Sequence, residues 1–175
     1  MKVAYAGAPG AFAHEACRVY APDYEPVAVE SFAAVADAVE SGAARAGMLP
    51  LRNSSAGSVE EVALLLAARS LLVAAEHDLP VRMHLLGLPG ADVAGIRKVV
   101  SHKMALRQCT AALAALGVDT GEAPNTAVAA RNLADSSCAV LASDAAAAAY
   151  GLVILLHDVH DDPGNVTRFA QVVRA

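Results

Sequence analysis

The chain has 175 residues, 56% of them hydrophobic and 18% charged, with a formal net charge of -5. That is enough apolar material for one domain or two small lobes with a buried core. The acidic balance and scattered Lys and Arg give no basis for nucleic-acid or acidic-membrane partners. The apolar content is largely Ala and Val, with no Trp, which predicts close helix–sheet packing through small side chains. Cys17, Cys109 and Cys138 are odd in number and lack paired spacing, so they fit a reduced compartment and predict neither disulfides nor a metal site. No apolar run is long enough to span a bilayer. The N-terminal stretch reads as a first strand, not a signal peptide, because Gly7 interrupts it. A cytoplasmic location is expected.

Strand and helix patterns alternate along the chain. Val3–Ala6 predicts a strand, and Ala11–Tyr20 a helix with Phe12, Ala16 and Val19 on one side. Val27–Val29 is a second strand. Ser31 is the expected N-cap of a helix over Phe32–Glu40, closed by Ser41-Gly42. Ala46–Leu49 is a third strand, expected to end at Pro50. A polar loop, Arg52–Ser58, leads into a helix over Val59–Ala68. Leu71–Ala75 and Val81–Leu88 are extended candidates. Ile96–Val100 is a strand with Ser101 at its carboxyl end, and Ala105–Leu116 is a helix. Val118–Thr120 is a short strand. Asn125 or Thr126 caps a helix through Leu133. Cys138–Ala142 is a strand; Ser143 caps a helix through Tyr150, and Gly151 stops it. Leu152–Leu156 is extended, Asp161–Gly164 a polar turn, and Thr167–Val173 a closing strand. Such alternation implies an α/β fold with parallel or mixed sheets covered by helices.

Several strands end in small polar residues directly before a helix: Gly7–Gly10, Asn53–Ser58, Ser101-His102, Asn125-Thr126 and Ser143. Ligands of open α/β sheets bind beyond strand carboxyl ends, where helix N-termini present free N–H groups. A small polyanion such as a dicarboxylate suits such ends. Capping its own helix is a sufficient reason for any single one of these residues. The loop Arg52–Ser58 is longer than a cap needs and offers an amide, three hydroxyls and a guanidinium. The six histidines have no metal-ligand spacing. Asp161-Asp162 reads as a solvated turn, and Cys109 as packing or a site neighbour. No Ser-His-Asp order or P-loop is present.

One ordered set of residues goes further. It comprises Ala4-Tyr5, Gly7, Gly10, Phe12 and His14-Glu15-Ala16; then Leu49-Pro50, Asn53-Ser54-Ser55 and Gly57-Ser58-Val59. Ser101-His102, Gln108-Cys109, Tyr150-Gly151-Leu152 and Asn165-x-Thr167-Arg168-Phe169 follow. In order and spacing the set resembles prephenate dehydratase, from Val3 to Val173. The resemblance implies a two-lobed fold like the type II periplasmic binding proteins, with mixed sheets and an interlobe cleft. One lobe would be residues 1–77 plus 162–175, the other 78–161. It implies a homodimer, no cofactor or metal, and prephenate as the dicarboxylate substrate. The chain stops at Ala175, so the regulatory ACT domain common in the family is not expected. By position in the motifs, Thr167 is the implied donor to the departing hydroxyl. Arg168, Asn53 and Gln108 are the other implied catalytic residues. Arg168 has two open roles, anchoring a carboxylate or bracing the site. Gly10, Ala11, Phe12, Arg52, Ser54, Ser55, Ser101, His102, Asn125, Thr126 and Phe169 are implied to bind substrate.

The chain also departs from the family pattern. Ala11 and Ala13 stand where the family carries Thr and Ser, and Arg52 stands where it carries Glu. Ala56 replaces a polar residue, Lys103-Met104 replaces Pro-Gln, and Met83 replaces a frequent His. Each lost hydroxyl removes a hydrogen bond worth roughly 0.5–3 kcal/mol. Arg52 and Lys103 either offset these losses or signal another anion. The readings left open are prephenate dehydratase, arogenate dehydratase and a decarboxylating relative that keeps a non-aromatic product. The last is disfavoured by the intact Thr167-Arg168-Phe169. A non-catalytic small-anion binding module is the fourth.

Overall fold

In the computed structural model, which describes all of residues 1–175, the strands form two mixed sheets. The first contains β1 (Lys2–Ala6), β2 (Glu25–Val29), β3 (Ala46–Asn53), β4 (Gly57–Ser58), β5 (Leu71–Pro80) and β11 (Val166–Arg174), in the order β2-β1-β3-β11-β5 with β4 on β3. The second contains β6 (His84–Gly87), β7 (Lys98–Ser101), β8 (Asp119–Glu122), β9 (Cys138–Ala142) and β10 (Val153–Leu156), in the order β10-β6-β9-β7-β8. The helices are α1 (Phe12–Tyr20), α2 (Phe32–Glu40), α3 (Glu60–Ala68), α4 (Lys103–Arg107), α5 (Thr110–Leu116), α6 (Thr126–Arg131) and α7 (Asp144–Tyr150). The α/β class with mixed sheets is the expected one.

The chain divides into two compact units. One is Met1–Ala8, Phe12–Val81 and Gly164–Ala175; the other is Pro9–Ala11 and Arg82–Pro163. The first crossing falls four residues later than expected, because β5 pairs with β11 as far as Pro80↔Val166. Pro9–Ala11 joins the second unit for a local reason. Gly10 has φ +85, and an added Cβ would lie 2.6 Å from Ala146 Cα on α7. Ser143 Oγ donates to the Gly10 carbonyl at 2.9 Å, and Tyr150 OH donates to the Pro9 carbonyl at 2.7 Å.

In the first unit, both faces of the central strands are buried. Val3, Tyr5, Met48, Leu79 and Phe169 pack against Ala16 and Cys17 of α1. Ala4, Leu49, Ala170 and Val172 pack against Val35, Ala36 and Val39 of α2 and Val62 of α3. Helix α2 forms as its sequence predicts. Ser31 Oγ accepts from Ala34 N–H at 3.1 Å, and the apolar positions 35, 36 and 39 share the buried side. The expected small-residue packing is literal at Gly47, where an added Cβ would sit 2.6 Å from Val35 Cγ1. In the second unit, Leu86, Val140 and Ala142 pack against alanines of α6 and α7.

Several expected boundaries move. Pro50 does not end β3. The strand runs on to Asn53, and its pairing with β11 skips Leu51, a bulge next to a residue that cannot donate to the ladder. The expected loop Arg52–Ser58 contains a hairpin, with Arg52↔Ser58 and Asn53↔Gly57 paired. Strand β5 extends beyond Ala75 because β11 pairs along its whole length. Val19 is 54% exposed; Cys17 takes the buried place beside Ala16. The single helix expected over Ala105–Leu116 is two, split at Gln108-Cys109. The cause lies far along the chain. The Asp161 carboxylate accepts from Thr110 N–H at 2.8 Å, Thr110 Oγ1 at 2.6 Å and Ala111 N–H at 3.0 Å, and Asp161 N–H donates to the Gln108 carbonyl at 2.7 Å. Asp161 is exposed in its turn, as expected, and in addition caps α5 from outside the helix.

Candidate active site

Thr167 lies near the start of β11, paired with Asn53 on β3 and Leu79 on β5. Its side chain is 9% exposed. Asn53 holds it: Asn53 Nδ2 donates to Thr167 Oγ1 at 2.9 Å, to Asn165 Oδ1 at 2.8 Å and to the Val166 carbonyl at 3.3 Å. The orientation of the Asn53 amide is fixed by its other end. Ser55 N–H and Ala56 N–H both donate to Asn53 Oδ1 at 2.9 Å. A backbone N–H can only donate, so the oxygen must face the turn and the NH2 must face Thr167. The Thr167 oxygen thus receives a hydrogen bond, and its own O–H proton is left to donate outward.

Ser54 ties the same turn to β11. Its N–H donates to the Val166 carbonyl, and its hydroxyl accepts from Val166 N–H, each at 2.9 Å. Ser54 Oγ also donates to Asn165 Oδ1 at 3.3 Å. Asn165 is 2% exposed, and its carbonyl accepts from Val81 N–H. The donors that the Asn53–Ser55 segment seemed to offer a ligand are therefore largely engaged inside the unit. They hold the hydroxyl of Thr167 in place.

Arg168 has a different neighbourhood. Successive strand residues point to opposite faces, so Thr167 and Phe169 share one face while Arg168 takes the other. Phe169 is 2% exposed in the core beneath α1. Arg168 gives its planar fork to Asp78: Nε to Oδ1 at 2.7 Å and Nη2 to Oδ2 at 2.8 Å. Of the two roles open for Arg168, the geometry matches the brace. The hydrogen bonds from Arg168 hold the Asp78 carboxyl below the usual carboxylate range. Arg52 is register-paired with Arg168 and lines the same cavity with Ser54, Asp78 and Val166. It stands on the Arg168 face, away from the Thr167 hydroxyl. Asp78 carried no sequence signal of its own; it becomes visible through strand register alone.

In the second unit the capping reading wins repeatedly. Ser101 is fully buried and its hydroxyl donates to the Leu141 carbonyl at 2.7 Å. That proton is spent inside the unit. His102 Nδ1 caps α4 by accepting from Met104 N–H at 3.3 Å, and Asn125 Oδ1 caps α6 by accepting from Val128 N–H at 2.7 Å. Thr126 is the first residue of α6 and Gln108 the C-cap of α4; neither side chain makes a hydrogen bond within the chain. Gly10 and Ala11 belong to this unit, whereas Phe12 opens α1 in the other. Cys109 is buried, and burial pushes its thiol up to about 12, which suits packing and not a thiolate. The same burial effect takes Cys17 to about 12. No group of three or more His, Cys, Asp or Glu is arranged to hold a metal ion, and no helix is long and apolar enough to cross a membrane.

The prephenate dehydratase family model matches residues 3–175. An arogenate dehydratase/prephenate dehydratase of Arabidopsis thaliana is 37% identical over 177 residues, covering 99% of this chain and 45% of the relative. The structure of GqqA, described as a novel type of quorum quenching acylase, aligns with TM-score 0.94 and 34% identity over 100% of this chain and 64% of that one. Prephenate dehydratase from Arthrobacter aurescens, solved with L-Phe, aligns with TM-score 0.90 and 27% identity over 100% of this chain and 61% of that one. The chain spans about half the length of the curated relatives it matches. With the family model matched from Val3 to the last residue and a relative 37% identical over 99% of this chain, the chain belongs to the prephenate dehydratase family.

Proposed function

We propose that this chain converts prephenate to phenylpyruvate, carbon dioxide and water. The ring carboxylate leaves as CO2, and the electron pair of its C–C bond enters the ring. The C4 hydroxyl leaves with its bonding pair and takes up a proton, giving water and an aromatic product. Aromatisation drives the step; the barrier lies in the poor leaving group. One observation carries the reading: the Thr167 oxygen accepts from Asn53 Nδ2 at 2.9 Å, so its O–H proton points away from Asn53 toward a departing oxygen. A threonine hydroxyl is a feeble acid, so its contribution is a positioned hydrogen bond to developing negative charge. Arg168 acts through Asp78 as a brace and does not touch the reacting atoms. Gln108 and Thr126, with uncommitted side chains, are the proposed polar contacts to substrate.

Arogenate is the second substrate reading, supported by the names of the 37%-identical relatives in Arabidopsis thaliana and Petunia hybrida. The purified protein, incubated with prephenate and separately with arogenate, is expected to release phenylpyruvate or phenylalanine well above the spontaneous rate. Release at the background rate from both substrates sinks the dehydratase reading; prephenate consumed without an aromatic product then marks a decarboxylating relative, and prephenate left intact marks the anion-binding reading. Homodimerisation and a cytoplasmic location belong to the same proposal and are checked by light scattering and cell fractionation.

A further inference from the structure

Arg168 sits between two directly opposite neighbours, Arg52 on β3 and Asp78 on β5. The three side chains form a row across one face of the sheet and border one small cavity. Like charges facing each other across strands destabilise a sheet, and opposite charges stabilise it. The β3 side of the row is thus unfavourable and the β5 side favourable. Arg168 gives Nε and Nη2 to Asp78 at 2.7 and 2.8 Å, while its Nη1 forms a looser ion pair with Glu76 at 3.7 Å. Asp78 is itself anchored. Tyr20 OH donates to the Asp78 carbonyl at 2.5 Å, and the Tyr20 ring stacks on His77 with centroids 4.3 Å apart.

We propose that Asp78 is a positioning residue for the reaction: by drawing Arg168 toward β5 it fixes where β11 lies between its neighbours, and hence where the Thr167 hydroxyl stands relative to Asn53. The inference rests on the reading of Thr167 as donor. It has a geometric corollary. Position 52 faces Arg168 from the other side, so a carboxylate moved there should brace β11 in place of Asp78.

The test uses the full chain and three proteins: wild type, Asp78→Asn, and the double variant Arg52→Glu with Asp78→Asn. Turnover of prephenate is measured together with NMR resonances of the Thr167 methyl and the Asn53 side-chain amide. Asp78→Asn should lower kcat by roughly tenfold or more, since small misplacements of a reacting group are severe in effect, with KM within about threefold. It should also shift both resonances. The double variant should bring kcat back to within about threefold of wild type and return the resonances toward their original positions. A merely structural Asp78 would lower Tm without this split and without rescue by Glu at 52. Unchanged resonances in Asp78→Asn, or a double variant no nearer wild type, overturns the inference. If wild type itself turns over nothing, the dehydration reading falls, and the two resonances still decide the role of Asp78. If Asp78→Asn does not fold, Arg168→Lys, which keeps the charge and loses the fork, must move the same two resonances or the inference falls.

Discussion

Replacing Asn53 by Asp changes one atom and reverses one hydrogen bond. The side-chain oxygen that accepts from Ser55 and Ala56 N–H can stay where it is, so the turn is kept. The other end now presents an oxygen to Thr167 Oγ1 at 2.9 Å and to Asn165 Oδ1 at 2.8 Å, where an NH2 stood. Thr167 can satisfy that carboxylate only by turning its own proton inward, away from substrate. The donation to Thr167 is reversed and those to Asn165 Oδ1 and the Val166 carbonyl are lost, at about 0.5–1.5 kcal/mol each, so stability should fall by about 1–3 kcal/mol, less if the Asn165 amide rotates to donate. Turnover should fall further. Removing one positioned donor from a developing oxyanion lowers kcat roughly 10²–10³-fold, and the same range is expected here because the donor is withdrawn rather than deleted. Phenylpyruvate release and urea unfolding, measured on the same preparation, separate the two effects. Hydrogen bonds from Ser55 and Ala56 N–H favour the charged carboxylate, so the deficit should persist near about pH 4 and shrink only on further acidification, where the protonated carboxyl again offers Thr167 a donor. Asn53→Asp turning over within about threefold of wild type while losing stability would refute the orientation argument.

Asp161→Ala removes the cap of α5 supplied from outside the helix and should cost about 1 kcal/mol, seen as a lower Tm. Hydrogen bonds from Thr110 and Ala111 hold the Asp161 carboxyl below its ordinary value. Its stabilisation is therefore present above the unfolded value near about 3.9 and lost as pH falls through the lower folded one; the Tm gap should be full at about pH 6 and close on acidification below the ordinary carboxylate range. Gly10→Ala combines a left-handed backbone with a Cβ 2.6 Å from Ala146 Cα, and should lower Tm by more than Gly42→Ala, whose φ of +78 faces open space.

Most of the fold was legible because local signals agreed with tertiary ones. Ser31, Asn125 and Ser143 cap the helices their positions predict, and Gly151 ends α7 in the left-handed conformation expected of it. The misreadings share a cause: a distant partner overrode a local signal. Pro50 reads as a terminator, yet β11 carries β3 past it by a bulge. Ala105–Leu116 reads as one helix, yet Asp161, some fifty residues on, splits it. The same holds at the site. Thr167 and Asn53 were recognisable from motif order, and their hydrogen bond follows once β3 and β11 pair. The assignment of Arg168 was not legible, because it depends on which residue of β5 faces it. Ser101 and Phe169 lie within recognisable motifs, and their burial in strands follows from sheet pairing that the motifs do not encode.

The central claim is that the Thr167 hydroxyl, held by Asn53, gives its hydrogen bond to the leaving oxygen. Thr167→Val keeps the branched shape and leaves Asn53 Nδ2 its bonds to Asn165 and Val166. Under saturating prephenate, Thr167→Val should lose roughly 10²–10³-fold in kcat with KM within about threefold, and Thr167→Ser should keep most of the activity. A Thr167→Val enzyme that releases phenylpyruvate within about threefold of the wild-type rate would contradict the account.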